Sequence, residues 1–401
     1  MRKQTGFLVS HPTGNTFVRA LLEKLEEKNL LVNFHTTIGF GHGCSTLFSM
    51  IKKHRKYAIP DSKINRQWTV EIMRLLHKGK QHKKRRFTDF SYQKLDLQMS
   101  RNLSSSAAKV IHAYEDGALS SFQLAKERGI QCSYELPIAH WATSRRLLTE
   151  EAERHPAWEP TLESTRETEE KLLRKEEELR LADRITCPSK FVLDSIPLEI
   201  KRHIPCQISP FGSPFITRDL TPKKSTPKDT FKVLFVGSMS QRKGLADLFE
   251  AMRFLKNDSV ELSVLGQPSM PMEFYRKQFP NFKYFHSCSN HKVQHVMKEH
   301  DVLVLPSIIE GRALVQQEAL ACGTPLIVTP NAGGDDLIEE GLTGHLVPIR
   351  SPEKIAEKIV LLRESKILDA DRKIICQEKA NDFSWHSYAQ KIITFNLSST
   401  N

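Results

Sequence analysis

The sequence predicts an α/β chain of two doubly wound, Rossmann-like domains facing a central cleft, and three observations lead there. At 401 residues the chain exceeds what one ordinary hydrophobic core fills. Short β-branched runs alternate with helical patterns along most of its length, the signature of parallel sheets covered on both faces. That rhythm breaks at Ser209 to Asp229, "SPFGSPFITRDLTPKKSTPKD", rich in Pro, Ser, Thr and Lys, and then restarts.

The elements follow in order. "GFLVS" reads as a strand leading through "HPTGN" into "TFVRALLEKLEEKN", where Phe17, Leu21, Leu22 and Leu25 recur at helical spacing. "LVNFHTTI", "AKVIHAY" and "QCSYELPI" read as strands, with "GALSSFQLAKERG" a helix between the last two. "STRETEEKLLRKEEELRLA" reads as an amphipathic surface helix, with Leu172 and Leu179 two turns apart on one face. "ADRITCPSKFVLDSI" adds a strand and a helix capped by Ser189. After the break come strand "FKVLFVGS", helix "LADLFEAMRFLK", strand "VELSVLGQ", a helix near Met272 to Gln278, strand "FKYFHSC", helix "NHKVQHVMKEH" and strand "DVLVLPS". "EGRALVQQEALAC", strand "PLIVTP", the short "GHLVPI" and helix "SPEKIAEKIVLLRES" complete the second domain. The expected division is 1–213, a linker at 214–229, 230–383, and a last helix in 384–401 with Trp385, Tyr388 and Ile392 at helical spacing.

Composition excludes several classes. With 39% hydrophobic and 26% charged residues and no apolar run long enough to span a bilayer, the expectation is a cytoplasmic protein. The amino terminus reads as a first strand rather than a signal peptide. Seven cysteines without a CxxC pair point to reduced thiols, and no zinc-type spacing is present, so no metal site is expected. The net charge of +12 is concentrated in "KKHRK" (52–56) and "KGKQHKKRR" (78–86). These fit a solvated surface, or contact with an acidic acceptor or with anionic lipid at the inner face of the membrane. Without interleaved aromatics or a nucleic-acid motif, nucleic acid is not an expected partner.

The chemistry concentrates in "EGRALVQQEALACGTPLIVTPNAGG", from Glu310 to Gly334. Glu310 stands at a strand's carboxyl end, where a helix beginning near Arg312 offers the N–H groups of Arg312, Ala313 and Leu314 to an anion. Glu318 lies about 12 Å along that helix at ~1.5 Å per residue, so the two acids suit the two ends of one extended ligand. A nucleoside diphosphate sugar has that form.

These stretches resemble the retaining glycosyltransferases of family 4, and the resemblance runs along nearly the whole chain. The family's Glu-x7-Glu pattern matches Glu310 and Glu318. "VGSMSQRKGLADLFEAM" resembles its other signature, a strand ending at Gly237 followed by a phosphate-binding Lys243, here with Arg242 beside it. "HPTGN" resembles its first glycine loop, with Gly14 and Asn15 facing the cleft. The resemblance implies the GT-B fold, with the last helix packing back toward the amino-terminal domain. It also implies a UDP-, GDP- or ADP-sugar as co-substrate with no bound cofactor or metal, and a saccharide or lipid-linked acceptor in cell-surface polysaccharide, lipopolysaccharide or glycolipid assembly. Glu318 would meet the donor ribose, Lys243 the diphosphate and Glu310 the transferred sugar.

The sequence also departs from the family. Ser238 stands where many members have Arg, so that either Arg242 takes over the phosphate contact or donor binding is weaker, and "EGRA" replaces Glu-Gly-Phe-Gly, so that Arg312 either adds charge at the phosphates or points outward. The family's strand-end histidine has no clear match, and His112, Glu115, Glu135 and His140 are the acceptor-side candidates. Retention requires either a carboxylate nucleophile or same-face attack assisted by the leaving phosphate, and no nucleophile is clearly placed. A GT-B sugar-nucleotide epimerase, or a sugar-nucleotide-binding or membrane-surface scaffold with impaired turnover, are the alternatives.

Overall fold

The computed structural model describes residues 6–43, 55–69, 81–103, 106–162, 166–214, 230–255, 259–367 and 369–398. Residues 52–54 and 78–80 of the two basic segments, and linker residues 215–229, lie outside the described residues.

The amino-terminal strands are β1 (Gly6–Ser10), β2 (Leu31–Thr36), β3 (Phe40–His42), β4 (Lys56–Pro60), β5 (Ile64–Arg66), β6 (Ala108–Tyr114), β7 (Gln131–Glu135), β8 (Arg184–Cys187) and β9 (Cys206–Ile208). Seven form one sheet in the order β5-β2-β1-β6-β7-β8-β9, every pair parallel, while β3 and β4 pair apart from it. The second sheet orders β10 (Phe231–Val236), β11 (Val260–Leu265), β12 (Phe282–Phe285), β13 (Val302–Leu305), β14 (Leu326–Val328) and β15 (Gly344–Leu346) as β12-β11-β10-β13-β14-β15, again all parallel. The α/β class and the pair of doubly wound sheets are as the sequence predicts. "VLVL" of β13 is apolar throughout because helices cover both faces of a parallel sheet, and all four residues are fully buried.

The order in which strands are added reverses between β1 and β6 in one sheet and between β10 and β13 in the other. Such switch points open a crevice at the carboxyl ends of the strands. The loops after β10 and β13 therefore lie side by side, although about sixty residues separate them in sequence.

Burial decides two further placements. The helix Glu169–Leu181 is capped by Thr168, whose Oγ accepts the Lys171 N–H at 3.3 Å, and it buries Leu172 and Leu179 while leaving Leu173 69% exposed. Glu178, which charge alone assigns to solvent, is fully buried and accepts the N–H groups of Asp116 and Ala118 at 2.9 and 3.1 Å.

The last helix, Trp385–Leu397, starts at Ser384, whose Oγ accepts the Ser387 N–H at 3.0 Å. It buries Tyr388, Ala389, Ile392 and Ile393 among Phe7, Val18, Leu21 and Leu22 of the amino-terminal core. Tyr388 also donates its hydroxyl to both Glu135 oxygens at 2.8 and 2.9 Å. Ile392→Ala is expected to cost about 2–5 kcal/mol, roughly 2–4 °C of melting temperature per kcal/mol. Removal of residues after Asp382 is expected to prevent stable folding, and a truncated chain melting at the full-length temperature would refute this.

Candidate active site

At the second switch point the loop after β10 runs through Gly237 into the short turn Gln241–Lys243, closed by Gly244. Gly244 has φ 74°, and a Cβ there would lie 2.0 Å from the Pro306 carbonyl oxygen, so only glycine lets this loop lie against the one after β13. The two loops are joined by the Ile308 N–H donating to the Arg242 carbonyl at 3.0 Å.

Side chains converge on the same place. Lys243 Nζ lies 2.6 Å from Glu310 Oε1, and Arg242 Nη1 bonds the same oxygen and the Ile309 carbonyl, the latter at 3.2 Å. Burial pushes the Glu310 carboxyl up, but the charges of Lys243 and Arg242 outweigh it and hold it below the usual carboxylate range. Burial, together with Arg242 and opposed by Glu310, lowers the Lys243 ammonium. Three residues thus form a largely dehydrated cluster with one net positive charge, the form of site that takes a multiply charged anion.

The helix after this loop runs Leu314–Ala321, starting two residues later than the sequence suggests, because Ala313 stands outside it as the N-cap residue. Of the three N–H groups offered to an anion, that of Ala313 is occupied by the Ala332 carbonyl at 3.1 Å, and Leu314 opens the helix. Arg312 corrects both expectations for it. Its guanidinium neither joins Lys243 nor points outward, but is buried, donating to Gln317 Oε1 at 2.9 Å, the Gly333 carbonyl at 3.1 Å and Asp336 at 2.7 Å, and stacking on Phe383. Phe383 has packed an apolar face against the guanidinium, which makes Arg312 a brace for the acid loop.

Glu318 is half-buried on this helix and accepts from Asn290 Nδ2 at 3.4 Å. Burial raises its carboxyl, opposed by Asn290. Gln316 and Gln317 were not singled out by sequence, yet both are fully buried, and Gln317 Nε2 donates to the Phe211 carbonyl at 2.6 Å on the approach to the linker. Two adjacent amides inside the apolar "LVQQEALA" were the available signal. Gly311 meets the other domain: a Cβ there would lie 1.7 Å from the Pro137 carbonyl oxygen, and its own carbonyl accepts from Ser189 Oγ at 2.6 Å.

On the amino-terminal side, Gly14 is half-buried beside Arg19 and Tyr57, and Asn15 precedes the helix Thr16–Glu27 without a side-chain cap bond. His11, at the end of β1 and missed by sequence, is buried with its pKa brought down to about 4 by burial, so its ring is neutral near pH 7. The acceptor-side candidates lie inside the domain. His112 and Glu135 are fully buried with 3.2 Å between Nε2 and Oε2, Ser133 Oγ lies 3.0 Å from His112 Nδ1, and Tyr388 closes the set. Glu115 pairs with Lys175 at 3.5 Å and is pushed up to about 7 by burial. His140 caps the helix Trp141–Arg154 and lies 3.3 Å from Glu176. The structure therefore brings Gly237, Arg242, Lys243 and Glu310 together, and places His112, Glu115, Glu135 and His140 in separate buried networks.

Residues 217–380 match the family described as glycosyl transferases group 1. A stretch of 191 residues is 26% identical to the putative colanic acid biosynthesis glycosyltransferase WcaL of Escherichia coli, covering 43% of this chain and 45% of that protein. A stretch of 172 residues is 28% identical to the D-inositol 3-phosphate glycosyltransferase of Paenarthrobacter aurescens, covering 40% of this chain and 42% of that protein. The matched stretch spans less than half the length of these curated relatives. Over the whole chain the fold is similar to that of the sucrose-phosphate synthase of Thermosynechococcus elongatus, with a TM-score of 0.66, 16% identity and 98% of both chains covered. Residues 217–380 thus match the group 1 glycosyl transferases, and the chain as a whole has the GT-B fold.

Proposed function

We propose that this protein transfers a sugar, with retention of anomeric configuration, from a nucleotide-sugar donor to a saccharide or lipid-linked acceptor in cell-surface polysaccharide, lipopolysaccharide or glycolipid assembly. The observation that carries this reading is the convergence of Lys243 and Arg242 on one buried carboxylate, Glu310, at the switch point of the second sheet. The name of the WcaL relative, which mentions colanic acid biosynthesis, supports the class of acceptor.

In this reading the donor diphosphate lies on Arg242 and Lys243, which stabilise the charge that builds as the phosphate departs. Glu318, with only Asn290 as a neutral partner, accepts from the ribose hydroxyls. The bond from the anomeric carbon to the phosphate oxygen breaks while the acceptor oxygen bonds to that carbon on the same face, and the acceptor proton passes to the departing phosphate. Glu310 and the diphosphate compete for the same two cations. Donor binding therefore frees Glu310 to face the transferred sugar, where its negative charge favours the developing positive charge at the anomeric carbon.

Glu310→Gln is expected to lower turnover by about 100-fold or more, in the range of losing one preorganised charge, while nucleoside diphosphate binds at least as tightly as to the unaltered protein. Unchanged turnover would remove Glu310 from the chemistry. The first measurement of the donor is the melting shift with UDP, GDP and ADP in turn. Ligand at a hundred times its dissociation constant adds about 2.7 kcal/mol, and one of the three is expected to raise the melting temperature by roughly 5–10 °C. No shift with any of them would overturn this reading in favour of a scaffold.

A further inference from the structure

The residue before Arg242 has no role in the reading above, yet it is bonded across the domain boundary. Gln241 is 0% exposed, and both ends of its amide and its backbone N–H are engaged. Nε2 donates to Glu151 Oε2 and to Asp247 Oδ2, each at 2.7 Å; Oε1 accepts the Ala246 N–H at 2.9 Å; and its own N–H donates to Thr161 Oγ1 at 3.1 Å. Glu151 and Thr161 come from the amino-terminal half of the chain, Asp247 and Ala246 from the carboxyl-terminal half.

The partners are themselves fixed. Trp158, between Glu151 and Thr161, is 2% exposed and packs in the carboxyl-terminal core against Phe249, Phe274 and Tyr275, with ring centroids 5.0–6.0 Å apart. Glu151 is also bonded by Arg350 Nε, and the same guanidinium reaches Glu150 at 2.8 Å and the Leu147 carbonyl at 3.2 Å. Arg350 does so from the left-handed region, φ 61°, a conformation that costs a non-glycine residue energy and persists only where the surroundings impose it. Arg154 Nη1 meets Asp247 Oδ1 at 2.7 Å. Glu151, His155 and Asp247 also bring potential ligand atoms within 4.8 Å of one another, but the two guanidiniums already compensate both carboxylates, so the cluster fits an interdomain latch and not a cation site.

Only a neutral amide suits the centre of this network. A carboxylate at 241 would add a third negative group against Glu151 and Asp247, and an apolar side chain would leave two buried carboxylates short of a donor. Gln241, Arg242 and Lys243 form one short helical turn, so fixing the first residue fixes the direction of the next two.

We propose that Gln241, held by Glu151 across the domain boundary, is a positioning residue that sets the Arg242–Lys243 turn for the donor diphosphate, so that affinity for the donor depends on the contact between the domains. This rests on the glycosyltransferase reading of that turn.

The test titrates inorganic pyrophosphate, UDP, GDP and ADP calorimetrically into the full chain and into Glu151→Gln, a residue that touches neither Arg242 nor Lys243. Replacement sets an amide N–H against Gln241 Nε2 or Arg350. A dissociation constant at least ten times higher for the nucleotide that binds the unaltered protein, and a matching rise for pyrophosphate, is expected. The donor KM should rise while the acceptor KM stays constant. A purely structural role would reduce the binding fraction and leave the dissociation constant unmoved, and that result overturns the proposal. Gln241→Asn, one methylene too short to reach both carboxylates, provides the same readout where Glu151→Gln fails to fold, and unchanged affinity there also overturns it. If the unaltered protein binds none of the four ligands, the donor-site reading fails; if it binds and both variants bind equally well, the positioning role alone fails.

Discussion

The ion cluster of Arg242, Lys243 and Glu310 is the constraint from which the arrangement of this site follows. Two cations and one anion are held largely away from water, and withdrawing the anion would leave both cations uncompensated in a medium of low dielectric. That requirement sets the two loops after β10 and β13 against each other, and Gly244 is the residue that permits the approach. A cluster with one surplus positive charge is also incomplete electrostatically. It is stable enough to persist as it stands, and is better satisfied by a ligand with more negative charge than one carboxylate supplies.

Each half of the chain lends apolar surface to the other. Trp158 fills the carboxyl-terminal core, while Tyr388, Ala389, Ile392 and Ile393 fill the amino-terminal one. The polar bonds of Gln317 to Phe211, Ser189 to Gly311 and Glu151 to Gln241 lie between these anchors. Relative movement of the domains therefore has to keep the anchors and exchange the polar contacts. Polar contacts suit that purpose, since water replaces a broken hydrogen bond at little net cost, whereas a withdrawn Trp or Ile leaves a cavity.

How much of this was legible in the sequence depends on the range of the interaction. Parallel sheets were legible because burial on both faces writes continuous apolar runs such as "VLVL", and Glu310 and Lys243 were singled out separately through a resemblance carried by local spacing, while their pairing was not. Arg312 was misread because its partners, Asp336 and Phe383, lie 24 and 71 residues away, and nothing near Arg312 shows that a cavity awaits its guanidinium. His112 and Glu135 invite a catalytic reading as a histidine and an acid near strand ends. Both lie on interior strands of the sheet, and Glu135 is bonded by Tyr388, a residue more than 250 positions later. Gln241 left no trace at all, since an isolated glutamine in a basic turn looks like surface until Glu151 and Asp247 are placed around it.

The two glutamates that first mark the site show how folding divides roles between like residues. Glu310 and Glu318 belong to one loop and helix, yet cations hold the first below the usual carboxylate range while burial raises the second. Divergent environments of this kind assign different tasks to identical side chains. An acid held firmly ionised offers charge and little else, which suits a place beside a carbon becoming positive. One whose ionisation is disfavoured by burial, with a neutral amide as neighbour, gains most from hydrogen-bond donors that restore its lost hydration, and the hydroxyls of a ribose are such donors. On the donor reading proposed above, one molecule carries a reacting carbon facing Glu310, which precedes the helix, and a vicinal diol facing Glu318, which lies on it, with the anionic bridge between them on Arg242 and Lys243.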